Sequence, residues 1–93
     1  MTLNLDTEWL AIDPRAWTPL QTEICMNVAN AKLYGFAAEA ERIAGLVRLG
    51  LLTRAVASDY LQTAAIYNQL AFEYGADRVQ EIMSAAFERE AAA

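Results

Sequence analysis

The residue types that carry most enzyme chemistry are scarce in this chain of 93 residues. Histidine is absent, which removes the commonest general acid–base, the Ser-His and Cys-His pairs and most zinc sites. The twelve Asp and Glu residues could bind a metal only as an all-carboxylate shell, and the helical periodicity places none of them at core positions. The four glycines stand apart, so no glycine-rich loop is present to hold a phosphate. We therefore predict that the protein is not an enzyme and has no metal or cofactor.

Cys25 is the single cysteine, so an internal disulfide is impossible. It falls on an apolar helix face, which favours a small buried hydrophobic side chain. The alternative is a reactive thiol, because Cys25 lies within two turns of a helix start at Pro19.

The elements that must position any site are helices. Thr18 can cap a helix whose first residue is Pro19, and Gln21 occupies the partner position of a capping box. The helical pattern then runs to Leu49, with an interruption at Gly35. This stretch is one long helix, a kinked helix or two helices, and the pattern favours one. Its predicted apolar face consists of Cys25, Met26, Ala29, Leu33, Phe36, Ala40, Ile43, Ala44 and Val47.

Two further helices follow. Gly50 ends the first helix, and Thr53 caps a second that runs to about Tyr74. Gly75 repeats the stop signal, and Asp77 begins the last helix in a capping-box-like pattern. The predicted apolar faces are Ala57, Tyr60, Leu61, Ala64 and Phe72 on the second helix, and Val79, Ile82, Met83, Ala86 and Phe87 on the last.

Short connections imply antiparallel neighbours. We predict an all-α fold, a small antiparallel three-helix bundle that becomes four helices if the first breaks near Gly35. Residues 1–17 form an N-terminal arm with a short helical turn, and residues 18–93 form the bundle. Trp9 is costly to leave in water, so we expect the arm to pack on the helices or on a partner.

A second apolar side on the second helix is the predicted partner-binding site. Ile66 and Leu70 lie one turn apart, away from the main apolar face, with Asp59, Thr63 and Glu73 around them. Such a side belongs to a central helix or to an interface. Docking of the N-terminal arm and docking of a partner are equally compatible with it.

Two other features are possible interfaces. Tyr60, Tyr67 and Tyr74 recur every seven residues, as a core border or a recognition stripe. Ala31, Gly35 and Ala38 form a strip of small residues, which suits tight packing inside the bundle or a symmetric dimer.

Charge and hydropathy limit the partners. The net charge is −5, and the basic residues are scattered, so direct nucleic-acid binding is not expected. The sequence shows no leader pattern and no apolar run near 20 residues, so we expect no membrane association. With one cysteine, the chain is typical of the cytoplasm.

The sequence therefore predicts a small acidic module that binds another protein or protein complex stoichiometrically. Its roles could be adaptor, assembly subunit or inhibitor of a nucleic-acid-handling complex, which includes phage-encoded inhibitors of host defence such as anti-CRISPR proteins. The alternatives are a self-assembling homodimer and a small-molecule carrier with a pocket between its helices.

Overall fold

The computed structural model describes residues 14–92. Their elements are a 3-10 turn at Pro14–Ala16 and four helices: α1 (Pro19–Arg48), α2 (Arg54–Tyr67), α3 (Leu70–Tyr74) and α4 (Ala76–Ala92). Among these residues there is no strand, so the prediction of a small all-α bundle is confirmed. Most of the predicted arm, Trp9 included, lies outside the described residues.

Helix α1 folds back on itself at Lys32, whose φ of 53° and ψ of −128° are not helical. Arg42 Nη2 lies 3.1 Å from Glu23 Oε1, although a straight helix would separate these residues by about 28 Å. Residues 19–31 (α1N) and 33–48 (α1C) therefore lie side by side as a helical hairpin. The prediction that favoured one continuous helix is wrong, and the alternative of a break near Gly35 is confirmed.

Gly35 allows the two halves of the hairpin to approach closely. A Cβ at this position would lie 2.6 Å from the Asn27 carbonyl oxygen and 3.1 Å from the Ala31 Cβ. Gly35 itself is buried, whereas Ala31 and Ala38 are exposed. Packing within the bundle thus explains the central residue of the predicted small-residue strip.

The turn at Lys32 also changes which residues face the core. Ile24 and Val28 in α1N are fully buried, whereas Met26 and Ala29, which the continuous pattern placed inward, are exposed. The two halves no longer share one helical phase, because a non-helical residue separates them. In α1C the predicted residues Phe36, Ala40, Ile43 and Ala44 are buried as expected.

A second break divides the predicted second helix into α2 and α3. Asn68 closes α2, and its Nδ2 donates to the carbonyl oxygens of Ala64 at 3.0 Å and Cys25 at 3.3 Å. Gln69 follows with a left-handed φ of 57° and ψ of 34°. The prediction of one helix to Tyr74 is therefore wrong.

The left-handed conformation of Gln69 changes the direction of α3 relative to α2. In α3, the side that was predicted to face the core is therefore exposed, and the side that was predicted to face outward is buried. Leu70, predicted on the outer side, is fully buried in the core. Phe72, predicted on the main apolar face, is 88% exposed.

The predicted helix signals at the other junctions are mostly confirmed. Thr18 and Gln21 form the reciprocal capping box, and the Thr53 hydroxyl accepts from the Val56 amide at 3.1 Å. Gly50 and Gly75 both have positive φ, which glycine adopts without steric cost. Helix α4 begins at Ala76, so Asp77 lies in its first turn and does not cap it.

Helix α4 covers the core with the predicted stripe, since Val79, Met83, Ala86 and Phe87 are buried. Its C-terminal turns pair with the second half of α1C, where Arg48 Nε lies 3.0 Å from Glu90 Oε1 and Arg89 pairs with Glu41. We call this end, with the loop at residues 49–53, the capped end. The opposite end contains the Lys32 turn and α3.

Candidate functional site

Glu39 is the first candidate for chemistry, because its side chain is buried at 5% exposure. This corrects the expectation that no acidic residue occupies a core position. Both carboxylate oxygens accept hydrogen bonds: Oε2 from Arg42 Nε at 2.9 Å, and Oε1 from Arg42 Nη2 at 2.8 Å and from Asn27 Nδ2 at 3.0 Å. Glu39 therefore joins the two halves of the α1 hairpin.

The surroundings of Glu39 stabilise its charged form. Burial alone would raise the pKa of this carboxyl, but the hydrogen bonds from Arg42 and Asn27 and the charge of Arg42 together lower the pKa below its ordinary value. A saturated carboxylate of low pKa is a poor proton acceptor. We interpret the cluster as a structural pin that closes the hairpin.

Cys25 is the second candidate. The side chain is buried in the core, and burial raises the pKa of its thiol to about 11. The thiol is therefore protonated at neutral pH, so this environment favours the buried hydrophobic role over the reactive thiol. No group of three potential metal ligands occurs within residues 14–92.

The residues predicted to bind a partner do not form a common surface. Leu70 and Thr63 are buried, and Ile66 is half-buried. Asp59 is exposed on α2, whereas Glu73 is exposed on α3 beyond the break. Whether any of them binds a partner remains a prediction, but the buried side chains offer no contact area.

The three tyrosines do not form a continuous stripe, because Tyr74 belongs to α3. Tyr60 and Tyr67 both contact the segment before α1. The Thr18 hydroxyl donates to the Tyr60 hydroxyl at 3.3 Å, and the Trp17 and Tyr67 rings meet edge to face with their centroids 5.0 Å apart. The tyrosine side of α2 therefore receives the segment before α1.

The Lys32 turn and α3 instead each carry exposed aromatic side chains at the same end of the bundle. Lys32 Nζ lies 3.7 Å from Glu73 Oε1, which holds the turn beside α3. Tyr34, two residues after the turn, is 89% exposed, and Phe72, next to Glu73, is 88% exposed. Tyr74 is partly exposed at the end of α3. We call Lys32, Tyr34, Phe72, Glu73 and Tyr74 the tip surface.

Sequence reasoning missed the two principal residues of the tip surface. Tyr34 lay outside the predicted apolar face and carried no motif. Phe72 was assigned to the core because a helix continuous through Gln69 would place it there. A signal for the break exists at Asn68-Gln69, since Asn commonly ends helices through side-chain hydrogen bonds to the backbone, but no glycine or proline accompanies it.

The capped end exposes apolar residues of a different kind. Leu49 and Leu51 are 61% and 68% exposed, and α1C places them about 24 Å from the tip surface. They are aliphatic and lie in a loop beside ion pairs, whereas the tip surface presents aromatic rings on helical segments. The aromatic type is the one enriched at protein interfaces.

Comparison with known proteins identifies no relative. No protein-family model matches the chain, and searches of curated proteins and of solved structures find no significant similarity. Within residues 14–92, no helix combines the length and the apolar character needed to cross a membrane.

Proposed function

We propose that this chain is a small protein-interaction module of the cytoplasm that binds another protein stoichiometrically through the tip surface and catalyses no reaction. The observation that carries the proposal is the pair of almost fully exposed aromatic rings, Tyr34 and Phe72, on adjoining segments of one end of the bundle. An adaptor, an assembly subunit and an inhibitor, including one directed against a host defence complex, would all act in this way.

The energetic argument concerns what these rings gain from a partner. Burial of one large apolar side chain stabilises a complex by about 1.5–3 kcal/mol relative to leaving it in water. Interface energy is concentrated in a few aromatic and arginine side chains that enter pockets on the partner. Tyr34 and Phe72 are already held on helices, so little backbone ordering opposes their binding.

The charge of the chain restricts the partner. The net charge of −5 favours a partner whose apolar pocket is surrounded by basic groups, because complementary charge speeds encounter and suppresses wrong partners. Lys32 is paired with Glu73, so the tip surface itself adds no net charge from this pair.

The experiment is a pull-down from native lysate with three forms of the tagged chain: wild type, the double variant Tyr34→Ala/Phe72→Ala, and the matched control Leu49→Ala/Leu51→Ala. All four side chains are exposed, so circular dichroism should show folded protein in each case. We expect one stoichiometric protein with the wild type and the control, and its loss with the tip variant.

Retention of that protein by the tip variant, or its loss only with the control, would reject the tip surface as the binding site. An Asp substitution at Leu70 is not a useful probe, because a charge at a fully buried position would unfold the bundle.

A further inference from the structure

The Lys32 turn is a one-residue hinge in an unfavourable backbone conformation. Its φ of 53° lies where a side chain is disfavoured, and no glycine or asparagine occupies the position. The residues on both sides are helical, and Ala31 and Leu33 are strong helix formers. A straight helix through Lys32 would therefore remove the backbone strain at that residue and would keep its neighbours in the helical conformation that they prefer.

Straightening within a single chain would expose the core. Ile24, Cys25 and Val28 of α1N are buried against the rest of the bundle, and a straight α1 would carry them away from it. The Glu23–Arg42 and Asn27–Glu39 contacts would be lost as well. A monomer consequently keeps the hairpin despite the conformation of Lys32.

In a dimer, a second copy of the chain can cover the core that a straight α1 would expose and can supply the contacts that would be lost. We propose that two copies exchange their N-terminal segments, including residues 14–31, with each α1 straightened at Lys32 and each α1N seated on the partner's bundle. The contacts that close the hairpin then re-form between the two chains, because each chain carries both halves of every pair. Only the two hinges change, and short strained hinges favour such exchange.

The occupant of the vacated face is identified by complementarity. The buried face of α1N fits the core left by an identical α1N, and Asn68 finds the same Cys25 carbonyl oxygen on the incoming segment. The Trp17–Tyr67 ring contact and the Thr18–Tyr60 hydrogen bond lie on the exchanged side too and would be restored. The swap removes the Lys32 turn, so the tip surface in the form proposed to bind another protein belongs to the monomer.

The test compares Lys32→Gly with Lys32→Ala. Both variants lose the Lys32–Glu73 ion pair, so they differ in backbone preference alone. Glycine relieves the hinge of the monomer and weakens a straight helix, whereas alanine retains the hinge strain and favours the helix. Each form is unfolded in urea, refolded at several protein concentrations and measured by gel filtration with light scattering.

We expect dimers in wild type and Lys32→Ala, in a fraction that rises with the protein concentration during refolding. The association constant of Lys32→Gly should be lower than that of Lys32→Ala by about tenfold or more. Equal association constants for the two variants, or monomers alone for wild type and Lys32→Ala, would overturn the proposal.

Two further measurements separate a segment swap from side-by-side association and test the strain at the hinge. Preformed dimers with and without a mass tag should exchange chains slowly after mixing, because α1N must leave a core. Rapid exchange would indicate side-by-side association and reject the swap.

Thermal unfolding at low concentration should show Lys32→Gly at least as stable as Lys32→Ala. A clearly less stable Lys32→Gly would refute strain at the hinge.

Discussion

The two ends of the bundle reverse the chain by different physical means. At the capped end, Gly50 supplies the positive φ, Thr53 caps the next helix, and Arg48 pairs with Glu90. At the other end, Gly75 again has a positive φ, but so do Lys32 and Gln69, neither of which prefers that conformation. Tertiary contacts, from Asn27 to Glu39 and from Asn68 to Cys25, hold these turns in place.

This difference shows where the backbone strain of the molecule is located. A side chain held in a sparsely populated backbone region costs about 1–3 kcal/mol. The end that carries two such residues also carries Tyr34 and Phe72, the two most exposed aromatic rings in the part of the chain that the structure describes. Because strain of this kind collects at binding sites, its position supports the assignment of function to the tip surface.

The largest expected effect comes from removing the charge partner of Glu39. Arg42→Met leaves a buried carboxylate with only Asn27 as a side-chain donor. We expect the free energy of unfolding to fall by about 2–4 kcal/mol, less than for a fully buried pair, because Arg42 is partly exposed. Urea unfolding would measure it, with Arg78→Met, in a surface pair with Glu81, as the control. Equal losses in the two variants would contradict the role of Glu39 as the pin.

The next effect concerns the close approach at Gly35. Gly35→Ala places a methyl group against the Asn27 carbonyl oxygen, so we expect destabilisation by about 1–3 kcal/mol. Gly45→Ala is the matched control, since its Cβ would meet only Glu90 at an ordinary 3.6 Å, and a mid-helix alanine stabilises by about 0.5–1 kcal/mol. Thermal unfolding of both variants would show opposite signs, and a neutral Gly35→Ala would mean that the hairpin packs less closely.

A smaller effect compares the positive-φ residues directly. Gln69→Gly should stabilise the bundle by about 0.5–1 kcal/mol, because glycine adopts the left-handed conformation without the steric cost. Gly50→Ala should destabilise it by a similar amount at the capped end. The midpoints of denaturant unfolding would measure the stability change of each variant. A Gln69→Gly variant less stable than wild type would contradict strain at that break.

The smallest effect is on the pH dependence of stability. The folded-state pKa of Glu39 is lowered, so its contribution is present above the unfolded pKa and is lost as the pH falls through the folded pKa. Urea unfolding of wild type and Glu39→Gln should therefore differ most near neutral pH and converge in acid. A stability difference between the two proteins that grows as the pH falls would contradict a lowered pKa of Glu39 in the folded state.

The sequence predicted the parts of the fold that local residues determine. The capping box at Thr18, the glycine stop at Gly50 and the stripe from Val79 to Phe87 all follow from local chemistry, and all are present. The all-α class followed from the same signals.

The remainder depended on contacts between distant residues. Nothing near Lys32 in the chain requires a turn, and the hairpin is determined by Asn27, Gly35 and Glu39 meeting after the chain folds back. The error at Gln69 then exchanged Leu70 with Phe72, so the predicted site included the buried Leu70 and left out the exposed Phe72. A periodic pattern identifies a helix face only while the helix continues.

The most direct test of the central claim is amide hydrogen exchange of the chain alone and with the purified partner from the pull-down. If the tip surface is the binding site, protection should increase at residues 31–35 and 70–75, while residues 48–53 at the capped end exchange as before. New protection at residues 48–53 with no change at the tip would contradict the account.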